Sequence, residues 1–344
     1  MIRQDFKLYV ECMTYNQHQF ITDTMNGFVM QKTSFPYVCC IVDDASTDGE
    51  NVVLDEYLKE WFDLESKDAF YHRETSYGLV SYAAHKTNKE CYFLVIQLKE
   101  NHYQTGKDTL KLQYIKDLIG VPPYVATCEG DDYWIHPDKL QIQIDYLDKH
   151  PEFIISCHKS YIREELGNEV KTYLRPFDTD ESCYHGKDCF EYTFEDFFAG
   201  GKWINETAAT IYRNVYDPSF WKNAKYNTRD VNMIFYLLKH GKGVCHNFIG
   251  SVYRWNNSSI FASLDKARVA EVQNEIYTDM YLQTREKVLE KPITHFRFAL
   301  LKAHRYNQTL DRFTIIAWKR YIVYQLNELV HAMVPNALRK MFRK

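Results

Sequence analysis

The chain has 344 residues, of which 45% are apolar and 16% aromatic, enough for a substantial core in one large or two medium domains. A formal net charge of −4 provides no basic field of the kind nonspecific nucleic-acid binding requires, so nucleic acid is not an expected partner. Nine cysteines without repeated C-x-x-C spacing, some inside apolar runs such as Cys39-Cys40, read as buried thiols in a reducing compartment. With no signal-peptide core after Met1 and no run of membrane-spanning length, the expected location is cytoplasmic.

In chain order, Leu8 to Met13 predicts a strand, and Ile21, Met25, Phe28 and Val29 a helical stripe. Val38 to Val42 predicts a second strand, followed by a helix with Val53, Tyr57 and Trp61 on one face. This alternation is the pattern of a parallel sheet covered by helices. Residues 63–90 fit it poorly and read as an inserted excursion. Tyr92 to Ile96 resumes the strands, Leu112, Ile115, Leu118 and Ile119 form a helical stripe, and Tyr124 to Cys128 is a further strand.

Beyond a strand-like Phe153 to Cys157, residues 163–187 read as irregular and charged. A helix opens at Thr228-Arg229-Asp230, with Thr228 as cap, and stops at Gly241. From about Leu264 the chain reads helical, with Ile315, Trp318, Ile322, Leu326, Leu329 and Met333 in one stripe that Pro335 ends. The last residues, Leu338 to Lys344, set basic side chains around apolar ones. Two readings of this tail stay open: reversible contact with an anionic membrane surface, or a solvated charged terminus.

Glu129-Gly130-Asp131-Asp132 crowds three carboxylates into four positions just after a predicted strand. Such crowding costs repulsion and desolvation unless a hard divalent cation with oxygen ligands neutralises it. Asp43-Asp44 likewise follows a strand, and ligands of open α/β sheets sit outside the carboxyl ends of strands. One nucleotide-sized site would touch both clusters. The bland readings are a helix start after Pro137 for the first cluster, and a turn with Ser46 as helix cap for the second.

Met13-Thr14-Tyr15-Asn16, then Val42-Asp43-Asp44-Ala45-Ser46-Thr47-Asp48-Gly49, then Glu129 to Trp134 with Pro137-Asp138-Lys139-Leu140, resemble in that order the family 2 glycosyltransferases of the GT-A fold. The match covers residues 6 to about 155 well and the remainder loosely. The resemblance implies an α/β fold class: a GT-A type, Rossmann-like, mostly parallel sheet flanked by helices, with a helical C-terminal extension. Residues 1–260 would form the transferase domain, with a nucleotide-binding half at 1–150 and an acceptor half at 151–260, and residues 261–344 the extension.

The implied reaction is inverting transfer of a sugar from a nucleotide diphosphate donor, a UDP-sugar above all, to an acceptor hydroxyl, with Mn²⁺ or Mg²⁺ on the diphosphate. Thr14 and Tyr15 match the loop that packs against the base, and Asp44, beside Asp43, the aspartate that hydrogen-bonds uracil. Asp131 and Asp132 match the family's aspartate pair, Asp132 as direct metal ligand and Asp131 reaching ribose or metal-bound water. Glu129 stands where many relatives carry aspartate.

Asp230 resembles the base that deprotonates the acceptor, although Arg229 precedes it where relatives often have glycine; its bland reading is a carboxylate that complements the dipole of its helix. Thr207 to Thr210 is similar to a small-residue strand under the acceptor site, with Glu206 as a second base candidate. Trp203 and Tyr253 have two open readings, core packing or a platform for sugar rings; Trp255, beside Arg254 and the polar run Asn256 to Ser259, reads as a platform, and Arg254 would hold a phosphate or orient an acid. Asn101 and Gly106-Lys107 match a donor loop, in which Lys107 either approaches the diphosphate or is an exposed lysine at a helix start.

The implied acceptor is a saccharide or lipid-linked molecule in surface polysaccharide or glycolipid assembly, at the inner membrane face. Two rival readings remain. A metal-dependent nucleotidyltransferase would need a glycine-rich basic loop after the first strand, which Thr14-Tyr15-Asn16-Gln17 is not; a non-catalytic sugar-binding module would have no use for a base. Thirteen histidines without H-x-x-x-H or H-E-x-x-H spacing disfavour zinc.

Overall fold

A computed structural model describes residues 2, 5–66, 70–166, 169–200, 204–223, 230–256, 265–305 and 310–333. Trp203, Thr228, Arg229 and the tail 338–344 lie outside the described residues. The chain divides into two compact units, one of residues 1–197, 202–218 and 228–257, the other of residues 198–201, 219–227 and 258–344.

The first unit is built on a mixed sheet. Its strands are β1 (Leu8–Thr14), β2 (Tyr37–Asp43), β3 (Phe70–Glu74), β4 (Gly78–Ala84), β5 (Cys91–Leu98), β6 (Tyr124–Thr127), β7 (Tyr133–Trp134), β8 (Phe153–Leu166), β9 (Glu169–Leu174), β10 (Cys189–Tyr192), β11 (Ile211–Arg213) and β12 (Lys242–Asn256). Along the sheet the order is β10-β12-β8-β11-β6-β1-β2-β5-β4-β3, with β7 paired to β12 and β9 to β8. Helices α1 (Ile21–Val29), α2 (Glu50–Trp61), α3 (Thr109–Ile119), α4 (Lys139–Lys149) and α6 (Asp230–Leu238) accompany it, and α5 (Phe194–Gly200) begins in this unit.

The expected α/β architecture is present, a large sheet flanked by helices, but its parallel pairs fall in two places, the centre and the β8–β12 pair, with antiparallel pairs between and outside them. β6, β1, β2 and β5 run parallel, as their continuous apolar burial on both faces demands, and β8 pairs parallel with β12. The flanking pairs β4–β5, β3–β4, β6–β11, β8–β11, β8–β9 and β10–β12 are antiparallel. Residues 63–90 are no insertion: β3 and β4 form a hairpin that extends the sheet beyond β5. The stretch 163–187 is likewise more regular than its charge suggests. β8 runs on to Leu166 and pairs antiparallel with β9, in which apolar Val170 and Tyr173 are exposed beside Glu169, Lys171 and Thr172, so no buried face marks it in the sequence.

Two further expectations shift by local geometry. In α2 the buried face is Glu50, Leu54, Tyr57 and Leu58, whereas Trp61 is exposed and stacks on His85. Residues Thr207–Ala209 form a 3₁₀ turn ahead of the short β11, not a strand, because Glu206 caps the turn by accepting from the Ala208 N–H at 3.0 Å.

The second unit contains α7 (Lys266–Thr284), α8 (Glu290–Lys302) and α9 (Arg312–Met333). Met280, Ile293, Leu300, Phe313 and Ala317 are buried there. The buried Arg297 donates to Asn274 Oδ1 at 3.2 Å and Thr314 Oγ1 at 2.9 Å, which ties the three helices together. α9 turns Phe313, Thr314 and Ala317 inward, so the stripe of Ile315, Trp318, Ile322 and Leu326 is exposed. The helix is apolar on two faces, and the small Ala317 permits the closer packing. No helix among the described residues is long and apolar enough to cross a membrane.

Candidate active site

Three loops at the carboxyl ends of β1, β2 and β6 meet over the centre of the sheet. The register Thr14↔Asp43 carries β1 and β2 to the same level, and Glu11↔Thr127 sets β6 beside them. The turn after β6 is bound to β1 by the Gly130 N–H donating to the Met13 carbonyl at 3.1 Å. Thr24 of α1 donates its hydroxyl to the Gly130 and Asp132 carbonyls at 2.9 and 2.6 Å. A Cβ at Gly130 would lie 2.2 Å from Thr14 Oγ1, and one at Gly27 would lie 2.7 Å from the Trp134 nitrogen, so glycine permits both close approaches.

β7 pairs with Ser251 and Val252 of β12, which lays the acidic turn against Arg254 and Asn256. Asp132 is fully buried; its Oδ1 accepts from the Arg254 N–H at 2.8 Å, and its Oδ2 has no hydrogen-bond partner. Asp131 Oδ2 accepts from Asn256 at 3.3 Å. One carboxylate oxygen each of Glu129, Asp131 and Asp132 lie within 4.8 Å of one another. A buried acceptor left unpaired in a ring of carboxylates is the signature expected of a seat for a hard cation, which takes oxygen ligands alone.

The electrostatics agree. Burial, then the carboxylates of Asp230, Asp131, Glu206 and Glu11, push Glu129 up to about 8. The Glu129 side chain is exposed at the surface, with protein packed around its base. Burial first, and then Asp131, Glu206 and Glu129, raise Asp132 well above the usual aspartate range; burial also raises Asp131. Like charges this close cannot all ionise without a counter-charge. The Tyr253 phenol is raised by burial and then by Asp132, Glu129, Glu206 and Asp131.

Asp230 is exposed and opens α6. Its charge is among the influences raising both Glu129 and Glu11. Glu11, in mid-β1, was missed in the sequence because a single acid in an apolar strand carries no motif. Burial, followed by the carboxylates of Asp108 and Asp230, pushes it up to about 7 against the opposing pull of Lys116 and Lys111.

The loops expected to meet the base are tightly cross-linked. Thr14 donates its hydroxyl to the buried Glu50, whose other oxygen accepts from the Gln17 N–H and the Ser46 hydroxyl, both at 2.9 Å. Thr14 therefore holds the loop, and Tyr15 beside it is exposed. Ser46 is no helix cap: α2 starts after Gly49 (φ 91°), and the Ser46 oxygen accepts from the Asn16 N–H at 2.8 Å instead. Asp43 accepts from the Ser46 N–H at 2.9 Å and is raised by burial.

Asp44 is buried and fully engaged. Its Oδ1 accepts from the His102 N–H at 2.6 Å, and its Oδ2 from the Tyr103 N–H at 3.1 Å and Lys111 Nζ at 2.7 Å. It thus anchors the loop after β5. Lys111, overlooked because it reads as one more helix lysine, also pairs with Asp108 at 2.7 Å. Lys107 is exposed and paired with Glu100, the plainer of its two expected descriptions.

Arg254 is buried among acids rather than open to a phosphate. It donates to Asp23 Oδ2 at 2.6 Å and to the Asp131 carbonyl at 2.7 Å, with Phe20 and Tyr133 rings 4.7 Å from its guanidinium. Glu206 is buried, and its second oxygen accepts from Ser160 and Ser251 at 3.1 and 3.3 Å, so both oxygens are occupied. Trp255 is half-buried on β12 opposite Glu164.

No model of a known protein family matches the chain. It is 32% identical over 155 residues to the uncharacterized proteins Rv1520 of Mycobacterium tuberculosis (strain ATCC 25618 / H37Rv) and Mb1547 of Mycobacterium bovis. The matches cover 45% of this chain and 35% of those proteins, so the aligned region spans about a third of their length. Among solved structures it is similar to S. aureus TarS 1–349 in complex with UDP, at TM-score 0.50 and 14% identity over 89% of this chain and 76% of that one. The mannosyltransferase PcManGT from Pyrobaculum calidifontis, in complex with GDP-Man and Mn²⁺, is a looser likeness: TM-score 0.44, 12% identity, 92% and 69% covered. The likeness to TarS shows the fold, a mixed α/β glycosyltransferase fold.

Proposed function

We propose that the chain is an inverting, metal-dependent glycosyltransferase of the family 2 kind, which moves a sugar from a nucleotide diphosphate, in the first instance UDP, to an acceptor hydroxyl. The observation that carries this is the trio Glu129, Asp131 and Asp132 around an unpartnered buried oxygen, at the carboxyl end of the central strands of a glycosyltransferase fold. Residues 1–150 would bind the donor and 151–260 the acceptor, with 261–344 as an extension.

In this reading Asp132 and Asp131, with Glu129, hold Mn²⁺ or Mg²⁺. When bound, the ion supplies positive charge against the negative charge that grows on the departing diphosphate. Arg254 and Asn256 keep the two aspartates oriented, and Tyr15 offers its exposed ring to the base. Asp230 takes the proton of the acceptor hydroxyl as its oxygen bonds to the anomeric carbon. The bond from that carbon to the diphosphate breaks on the opposite face, and its electron pair leaves with the nucleotide. A saccharide or lipid-linked acceptor at the inner membrane face fits the reading.

The test is nucleotide release from a panel of UDP- and GDP-sugars, with Mn²⁺ and with chelator. The expected result is sugar-selective, metal-dependent release that Asp230→Asn lowers by about 10²–10⁴-fold while leaving donor affinity intact. Release that ignores both chelator and Asp230→Asn sinks the proposal.

A further inference from the structure

The outer face of α9 shows an apolar surface that the transferase reading does not use. Ile315, Trp318, Ile322 and Leu326, spaced three or four apart, are 45%, 41%, 53% and 56% exposed, and Val323 beside them 57%. Leu329 and Met333 continue the spacing in the sequence. The opposite face is already satisfied within the unit by Phe313 and Ala317, with Lys302 of α8 lying 4.2 Å over the Tyr324 ring. An apolar stripe of this length, left in water, marks a surface with a partner.

Charge identifies the chemistry of that partner. From Arg312 to Lys344 the sequence holds seven basic residues and one acidic, Glu328, in a chain whose net charge is −4. Lys319 and Arg320, both exposed, flank the stripe on α9, and Arg339, Lys340, Arg343 and Lys344 follow it in the sequence. Apolar side chains including tryptophan, bordered by lysine and arginine on a helix too polar to span a bilayer, are what an interfacial helix requires.

We propose that the Ile315-Trp318-Ile322-Leu326 face of α9 docks in the interfacial region of an anionic lipid bilayer, with Lys319 and Arg320 on its headgroups. A second copy of the chain would satisfy the apolar stripe but not the one-sided charge. This inference stands on α9 and is independent of the transferase reading.

The test is co-sedimentation of the full-length protein with vesicles of phosphatidylcholine alone or mixed with phosphatidylglycerol, at low and high salt, with the oligomeric state followed by light scattering. The expected result is binding that needs phosphatidylglycerol, weakens with salt, and falls at least tenfold in the doubles Ile322→Glu/Leu326→Glu and Lys319→Glu/Arg320→Glu. All six substituted positions tested, including Trp318→Ser and Ile315→Ser, are exposed, so circular dichroism is expected to be unchanged. Substituting the four basic residues after Leu338 by glutamine is expected to leave measurable binding. Three results overturn the proposal: no binding, binding lost only in that tail variant, or a dimer that the Ile322→Glu/Leu326→Glu variant dissociates without any vesicle binding.

Discussion

The main-chain N–H of Arg254 donates to Oδ1 of Asp132 at 2.8 Å, while Oδ2 of the same carboxylate has no hydrogen-bond partner. One oxygen is thus held by the backbone of β12, and the other is kept in waiting by burial. A carboxylate fixed in this way is costly alone and useful beside a cation.

Replacing Asp132 by asparagine is expected to remove tight Mn²⁺ binding, read by calorimetric titration, and to lower metal-stimulated turnover by about 10²–10³-fold. The metal-free variant is expected to be at least as stable as the parent, because a neutral amide relieves the crowding that raises Asp132 and Glu129. A variant that binds Mn²⁺ as the parent does would remove Asp132 from the ligand set.

The pH dependence of the metal-free protein follows from Glu129. Burial and the neighbouring carboxylates push its folded form up to about 8 from an ordinary 4.5, so across that interval the folded state is expected to keep a proton that the unfolded chain has released. Stability attributable to this group is therefore full below about pH 4.5 and is lost as pH rises through 8. Thermal midpoints measured from pH 5 to 8.5 should show this decline in chelator, reduced by Glu129→Gln. Saturating Mn²⁺ should suppress it, since ligation holds the carboxylates deprotonated.

Lys111→Met leaves the buried Asp44 carboxylate without its ammonium partner. Breaking a buried pair from one side costs about 3–5 kcal/mol, measurable by urea unfolding. The loop after β5, anchored by His102 and Tyr103 on Asp44, is expected to become more protease-sensitive in that variant.

At Gly130 an added methyl would meet Thr14 Oγ1 at 2.2 Å. Gly130→Ala is expected to cost about 1–3 kcal/mol and to weaken Mn²⁺ binding by displacing the acid turn. Unchanged metal affinity in a correctly folded Gly130→Ala protein would show that the turn tolerates a shift.

Glu11, pushed up to about 7 by burial and then by the carboxylates of Asp108 and Asp230, carries a prediction for the turnover–pH profile, an inflection near that value. Glu11→Gln is expected to abolish the inflection with little change in donor KM; an unaltered profile would exclude Glu11 from the reacting region.

The central strands were legible because a buried parallel strand is a plain apolar run, as in Val38 to Val42, and the acid turn because carboxylates at a strand end need a cause. The edges were not. β9 buries neither face, its Val170 and Tyr173 being exposed like its polar residues, so no inward stripe in Glu169 to Leu174 advertises a strand until β8 is there to pair with it. Glu50 and Lys111, by contrast, act through partners distant in sequence, which no motif announces. Glu50 shows this well: its carboxylate joins Thr14, Gln17 and Ser46, a meeting that exists only once β1 and β2 lie side by side. The apolar stripe of α9 was read correctly as a stripe, but spacing alone does not say whether a face looks inward.

The hydroxyl of Thr24, shared between the carbonyls of Gly130 and Asp132, couples two events that a list of contacts keeps apart. α1 begins where the Tyr15 loop ends, so a nucleotide that stiffens that loop also stiffens the turn bearing the acids. On the proposed reading, thermodynamic reciprocity then fixes the outcome: whatever factor the nucleotide adds to ion affinity, the ion returns to nucleotide affinity.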